Sequence, residues 1–274
     1  MFSCKCLSPM QLSRLIRDSR IIAFSPDKSK KLLGIIEDLR KDIESADGKL
    51  VWMIGLARFP GQPKVHPLAL MFYDGPEEEA KKFLAPVAAL GPFMNQTSMK
   101  PYTKITDPMP AMAPNHNRVS SSKATLASPF DAAVVETLID DFDAFMNKYG
   151  EAVAPSKVVI ELRSYRASAA VDPAATAYRS RAETILVVME ANHDDSVSNL
   201  VIREEVKAIT DKVKASKKQK DPKSEDTFNF NVSGGMEKVK DAYGENYSRL
   251  RELKRKYDPN FVFNKWYPIP PAEA

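Results

Sequence analysis

Two patterns take turns along this chain, and their order leaves few folds open. Short, largely apolar runs read as strands, and longer runs space apolar residues as a helix face does. Residues 20–24 read as a strand, after which Ser25 and Pro26 suit the cap and first turn of a helix. Leu32, Leu33, Ile35, Ile36, Leu39 and Ile43 follow at helical spacing, which predicts one helix with a buried face and a charged outer face. Residues 49–58 (KLVWMIGLAR) and 67–73 (PLALMFY) read as neighbouring strands, the second ended by Asp74 and Gly75. Pro76 and three glutamates then open a helix to about Leu90, with the acids at the positive end of its dipole. Residues 91–129 carry six prolines and little periodicity, the longest irregular stretch of the chain and of a kind that often carries function.

Helical spacing returns from Val134 to Tyr149, with Gly150 as terminator. Residues 157–162 and 184–189 are strand candidates, the second too continuously apolar to have a wet face. A helix over 197–215 ends in a basic run, Lys212 to Lys223, read most simply as a solvated loop. A short strand at 227–231 precedes Gly234, Gly235 and a helical C-terminus through Tyr257. This order predicts an α+β fold: an antiparallel β-sheet with helices packed on one face.

At 274 residues with 43% hydrophobic content, the chain can bury a sizeable core. Forty Lys and Arg against 36 acids give a mild +4 charge, concentrated in a lysine cluster that has no interleaved aromatic residues. No nucleic-acid partner is expected from that. No run is long enough to span a membrane, and residues 1–10 lack the apolar core and cleavage site of a secretory signal, so no membrane partner and a cytoplasmic location are expected. Cys4 and Cys6 are too close for an unstrained disulfide, and His66, His116 and His193 are scattered, so no metal site is expected. Ser120-Ser121-Ser122-Lys123 has the spacing of a Ser-x-x-Lys acylation motif but none of its companions. Asp140, Asp141 and Asp143 read as a wet helix face, and His193-Asp194-Asp195 as turn chemistry.

Residues 242–268, AYGENYSRLRELKRKYDPNFVFNKWYP, carry a longer signal. They resemble the end segment of berberine-bridge-enzyme-like flavoproteins, which reads Y-G-x-N-Y-x-R-L-x-x-x-K-x-K-Y-D-P-x-x-V-F. Physically this is a helix with Tyr247, Leu250, Leu253 and Tyr257 on one side, stopped by Asp258-Pro259, with Val262 and Phe263 expected to pack back. Gly91-Pro92-Phe93 with Met99, Pro101 and Tyr102 is similar to a second segment of that family, and residues 172–181, DPAATAYRSR, to its D-A-T-A-F-P-H-R run. The resemblance runs from about Arg20 to Pro268. It implies a substrate-binding α+β domain over 20–223, completed by a berberine-like segment over 224–274, with a poorly defined stretch at 1–19. It further implies FAD as cofactor, a small organic substrate and oxidoreduction. The family holds its flavin in a preceding N-terminal domain, of which no equivalent is recognisable here. A flavin-domain partner chain, or self-association, is therefore expected to cover the surface that such a domain would cover.

The resemblance also marks site residues. Tyr243, Asn246 and Tyr247 match family positions and are expected to meet the flavin part, as is Asn229. The family's Y-x-N-Y-like strand corresponds to Thr227-Phe228-Asn229-Phe230, so Thr227 and Phe230 stand where two tyrosine hydroxyls would take a proton. Neither can serve as a phenolic base, and no catalytic residue is assigned. Tyr178, Phe228 and Phe230 are the expected substrate-pocket residues. Ser180 replaces a usual histidine, and Tyr165-Arg166 replace a usual glycine pair before Ala167. The alternative reading is a redox-inactive module that binds a small molecule or a partner.

Overall fold

The computed structural model describes residues 16–104, 118–127, 129–181, 184–222, 231 and 238–273. Seven strands, β1 (Ile16–Ala23), β2 (Leu50–Ala57), β3 (His66–Tyr73), β4 (Met94–Pro101), β5 (Arg118–Leu126), β6 (Lys157–Arg163) and β7 (Ile185–His193), form one sheet in the order β4-β1-β3-β2-β6-β7-β5. Every pairing is antiparallel, and the registers line up Asn95, Ile22, Ala69, Ile54, Ile160, Val187 and Ala124 in one row across the sheet. From Ile22 to Ala124 that row is buried. One residue further along each strand, the row Gln96, Ile21, Leu70, Met53, Glu161, Leu186 and Thr125 turns to the opposite face.

The helices are α1 (Ser29–Asp38), α2 (Arg40–Ser45), α3 (Glu77–Ala88), α4 (Ala132–Tyr149), α5 (Arg166–Ala169), α6 (Asn199–Lys220), α7 (Val239–Tyr243) and α8 (Asn246–Tyr257). Leu32, Leu33 and Ile36 of α1, Leu84 and Val87 of α3, Phe142 and Phe145 of α4 and Ile202, Val206 and Val213 of α6 join Trp52, Ile54, Ile160 and Met189 in one continuous core. Each such side chain contributes on the order of 1.5–3 kcal/mol by leaving water, so this one-sided packing dominates stability. The chain adopts the expected α+β architecture, an antiparallel sheet with helices on one face. Among the described residues no helix is long and apolar enough to cross a membrane.

The departures from expectation have physical causes. The stretch 91–129, read as irregular, supplies both edge strands. β4 is a polar edge (MNQTSMKP) with no apolar alternation to reveal it. β5 is held by hydrogen bonds to α6: Ser122 Oγ and Thr210 Oγ1 lie 2.7 Å apart, Ser120 Oγ donates to Asn199 Oδ1 at 2.9 Å, and Lys217 Nζ donates to Thr125 Oγ1 at 2.8 Å. The same bonds correct the reading of the basic run: α6 continues to Lys220, Lys217 is buried, Lys212 pairs with Asp141 at 2.7 Å and Lys214 with Asp211 at 3.1 Å. Its cations suit the negative end of the helix.

The helix expected across 32–43 is two, since the chain tightens at Leu39 (φ −71°, ψ −6°) between α1 and α2. Asp143 is no wet-face residue either. Its carboxylate accepts from the Val65 N–H at 2.8 Å and from Arg58 Nη2 at 3.2 Å, pinning α4 to the link between β2 and β3.

The terminal segment is also two helices rather than one, broken at Gly244, whose φ of +52° favours glycine. Of the strand expected at 227–231, residues 227–230 lie outside the described residues and Asn231 sits in a turn. Asn246 Nδ2 ties the start of α8 to the carbonyls of Pro173 (2.9 Å) and Thr176 (3.0 Å). Ala242 and Tyr267 form a small cluster with Val239 and Tyr243, separate from the main core. Among the described residues the expected packing of the apolar side of α8 is not found: α8 has no buried residue, and Tyr257 is 73% exposed. Val262 and Phe263 do not pack back but are 69% and 79% exposed, with their N–H groups donating to the Asp258 carboxylate at 2.8 and 3.0 Å.

Two positions test this packing. Trp52→Ala should cost roughly 3–5 kcal/mol in denaturant unfolding. Trp52→Phe should cost far less, because the buried indole Nε1 has no hydrogen-bond partner among the described residues and its removal relieves an unmet donor. Equal costs would contradict that. Gly244→Ala should destabilise the terminal segment by about 1–2 kcal/mol through its positive φ, and the new Cβ would also meet the Arg179 side chain at 2.5 Å. Limited proteolysis should then cut the segment faster while the unfolding midpoint of the sheet stays put; unchanged cutting would show that Gly244 is not the hinge of docking.

Candidate functional site

In β6, Val158, Ile160 and Leu162 point to the helices, so Lys157, Val159, Glu161 and Arg163 must point away from them. The registers surround those four with Val51, Met53, Gly55, Leu68, Leu70 and Phe72 on β2 and β3, and Leu186 and Val188 on β7. Leu68, Leu186 and Val188 are buried, while Val51, Met53, Leu70 and Phe72 are half-buried. This helix-free face is thus an apolar floor that the described helices leave uncovered. One corner of it is edged by Phe59, His66 and Phe93, whose rings meet edge-on with centroids 5.4–5.6 Å apart.

The opposite end, where β6 finishes, carries charge. Arg163 Nε lies 3.3 Å from a Glu161 carboxylate oxygen, and the Arg163 guanidinium sits 4.7 Å from the ring centre of Tyr165. The Arg181 guanidinium lies 5.3 Å from the ring centre of Tyr178. Burial pushes the Tyr165 and Tyr178 phenols above their ordinary range, while Arg163 opposes this at both rings and Arg181 at Tyr178. Burial works to lower Arg163, but its hydrogen bond with Tyr165 and the charges of Tyr165, Glu161 and Tyr178 around it together outweigh this, and the guanidinium is held above its usual range. Both phenols therefore stay protonated at neutral pH and can donate a hydrogen bond but cannot take a proton. With the Glu161 carboxylate engaged by Arg163, the corner is built to bind and orient.

Of the residues expected from sequence, Tyr178 lies in this corner, 38% exposed. Tyr243 is half-buried in the small terminal cluster, where burial pushes its phenol up. Asn246 directs its amide at the carbonyls of Pro173 and Thr176, and Tyr247 is half-buried with its N–H donating to the Gly244 carbonyl at 3.1 Å. These three lie together in the terminal segment, anchored to the loop that carries Tyr178. Thr227, Phe228, Asn229 and Phe230 lie outside the described residues, as do Cys4, Cys6 and His116. Sequence reasoning missed Glu161, Arg163 and Arg181 and saw Tyr165 only as a replaced glycine. The signal was available in β6, where apolar residues alternate with Lys157, Glu161 and Arg163.

A flavin fits these residues only in part. The floor suits one face of a flat ring. A pyrophosphate, however, wants glycines that open a helix N-terminus. Among the described residues the positive-φ glycines, Gly48, Gly61, Gly91, Gly150 and Gly244, stand singly, and Gly150 and Gly244 end helices. These residues offer a ring a cover and a dinucleotide no cradle.

Residues 217–270 match the model of the family described as berberine and berberine like. The FAD-linked oxidoreductase pgmH of Aspergillus terreus is 35% identical over 263 residues, which is 92% of this chain and 54% of that protein. The FAD-linked oxidoreductase anuG of Penicillium roqueforti is 25% identical over 205 residues, 72% of this chain and 39% of that protein. Among solved structures, BBE-like 1 of Physcomitrella patens superposes with a TM-score of 0.72 at 12% identity, covering 96% of this chain and 55% of that one. Berberine bridge enzyme from Eschscholzia californica gives 0.61 at 14% identity, covering 94% and 56%. The chain spans about half the length of the curated relatives it matches. Terminal segment, relatives and sheet agree: the chain carries the berberine-like segment, has homologues among FAD-linked oxidoreductases, and shares the fold of the seven-stranded-sheet half of berberine-bridge-enzyme-like flavoproteins.

Proposed function

We propose that these residues form the substrate-binding half of an FAD-linked oxidoreductase acting on a small organic molecule, with the flavin held by a body outside them, either a partner chain or a further domain. The observation that carries this reading is the helix-free face: a floor of Val51, Met53, Leu70 and Phe72 that no described helix covers, ending in a corner of arginines set over tyrosine rings. A flat ring held above that floor leaves room for a substrate between the two, and apolar surface of this kind favours a protein cover over water. The flavin, when bound, would supply the electron acceptor; the residues of the floor and corner would position the substrate and exclude water.

The test is colour. The purified chain incubated with FAD and then freed of unbound flavin should be colourless, and it should be recovered in a yellow complex when co-expressed with the flavin-bearing half of the Aspergillus terreus relative. Tight FAD binding by the chain alone, or failure to form that complex, would overturn the reading.

One observation favours a second reading, a redox-inactive binding module: Thr227 and Phe230 offer no phenol where the family has tyrosines. Within the yellow complex, Thr227→Tyr with Phe230→Tyr should raise the rate of substrate oxidation by roughly 100-fold, the lower end of what general-base catalysis contributes. An unchanged rate would contradict a proton-accepting role for that segment.

A further inference from the structure

We propose that Arg163 and Arg181, framed by the rings of Tyr165 and Tyr178, bind the carboxylate of a flat aromatic acid whose ring lies on the adjoining floor at Val51 and Phe72. This deepens the preceding reading, on which it rests, by naming the substrate class of that same face. The register sets Arg163 directly beside Val51, and Val51 beside Phe72, so the anion corner and the apolar floor are continuous.

Arg163 and Arg181 differ in how their charge is met. The Glu161 carboxylate lies against Arg163 Nε. Among the described residues no carboxylate pairs with Arg181. Its Nη2 donates to a neutral acceptor, Thr176 Oγ1, at 2.7 Å, and its Nε is buried with no hydrogen-bond partner. A guanidinium whose terminal nitrogen meets only a neutral hydroxyl keeps its affinity for an anion. Guanidinium forks match the two oxygens of a carboxylate, and stacking over tyrosine rings holds both forks in place before the ligand arrives. The protonated phenols of Tyr165 and Tyr178 add donors of the same sense. The half-buried apolar side chains next to the corner select a ligand with a flat hydrocarbon body over a free inorganic anion.

Equilibrium titration of the full chain with naphthoate, and in parallel with its neutral isostere naphthamide, tests this. Naphthoate should bind roughly 10-fold or more tightly than the amide, and added salt should erode the difference. Arg181→Met should abolish the preference, while Arg181→Lys, which keeps the charge without the fork, should retain part of it. Arg163→Met provides a second variant should the first fail to fold, as thermal unfolding would reveal. Equal affinity for acid and amide, binding of neither, or a preference that survives these methionine variants would overturn the proposal. The flavin reading fails separately: a chain that prefers the acid yet never enters the yellow complex keeps its anion corner and loses its assignment as half of an oxidoreductase.

Discussion

Alternation along seven antiparallel strands divides their side chains between two faces, and the helices of this chain cover one of them. The covered face, centred on Trp52, Ile54, Ile160 and Val187, supplies the core. The other face follows by necessity: once Val158, Ile160 and Leu162 are committed to the helices, Val159, Glu161 and Arg163 can only stand on the far side. The floor and the charged corner of the candidate site are therefore consequences of the register that builds the core. A slip of one residue in β6 would put Glu161 and Arg163 into the core and so is strongly disfavoured.

The terminal segment is attached differently. It has its own small cluster around Ala242 and Tyr267 and is tied to the loop after β6 by the Asn246 amide. That loop also carries Tyr178 and Arg181, so the segment most specific to the family braces the corner where charge gathers. Its outer side, with Tyr257, Val262, Phe263 and Trp266 exposed, has the character of a surface that meets another body. The helix-free floor and this strip would be covered together by a flavin-bearing body of the kind proposed.

Sequence carried much of this. Strong periodicity located β2, β3, β6, β7, α3 and α4 within a few residues, because each has an apolar stripe set by burial. Both edge strands escaped notice because burial there rests on other chemistry: β4 is polar, and Ser120, Ser122 and Thr125 of β5 are held by α6 through hydroxyl, amide and ammonium groups rather than by apolar contact. The basic end of α6 looked like loop for the same reason. Of the corner, Tyr178 was visible through the resemblance, while Arg163 and Arg181 were not. They lie eighteen residues apart in sequence and both act on Tyr178 only because the chain returns past the end of β6. No local pattern encodes that return.

The central claim is that the helix-free face is the surface a flavin-bearing body covers. Met53 stands on that face, and Met71 lies against the helices on the other, 2% exposed. Methionine oxidation followed by mass spectrometry therefore reads the two faces independently. In the isolated chain Met53 should oxidise faster than Met71, and in the yellow complex Met53 should become protected while Met71 is unchanged. If Met53 oxidised as fast in the complex as in the free chain, the flavin-bearing body would dock elsewhere and the central claim would be wrong.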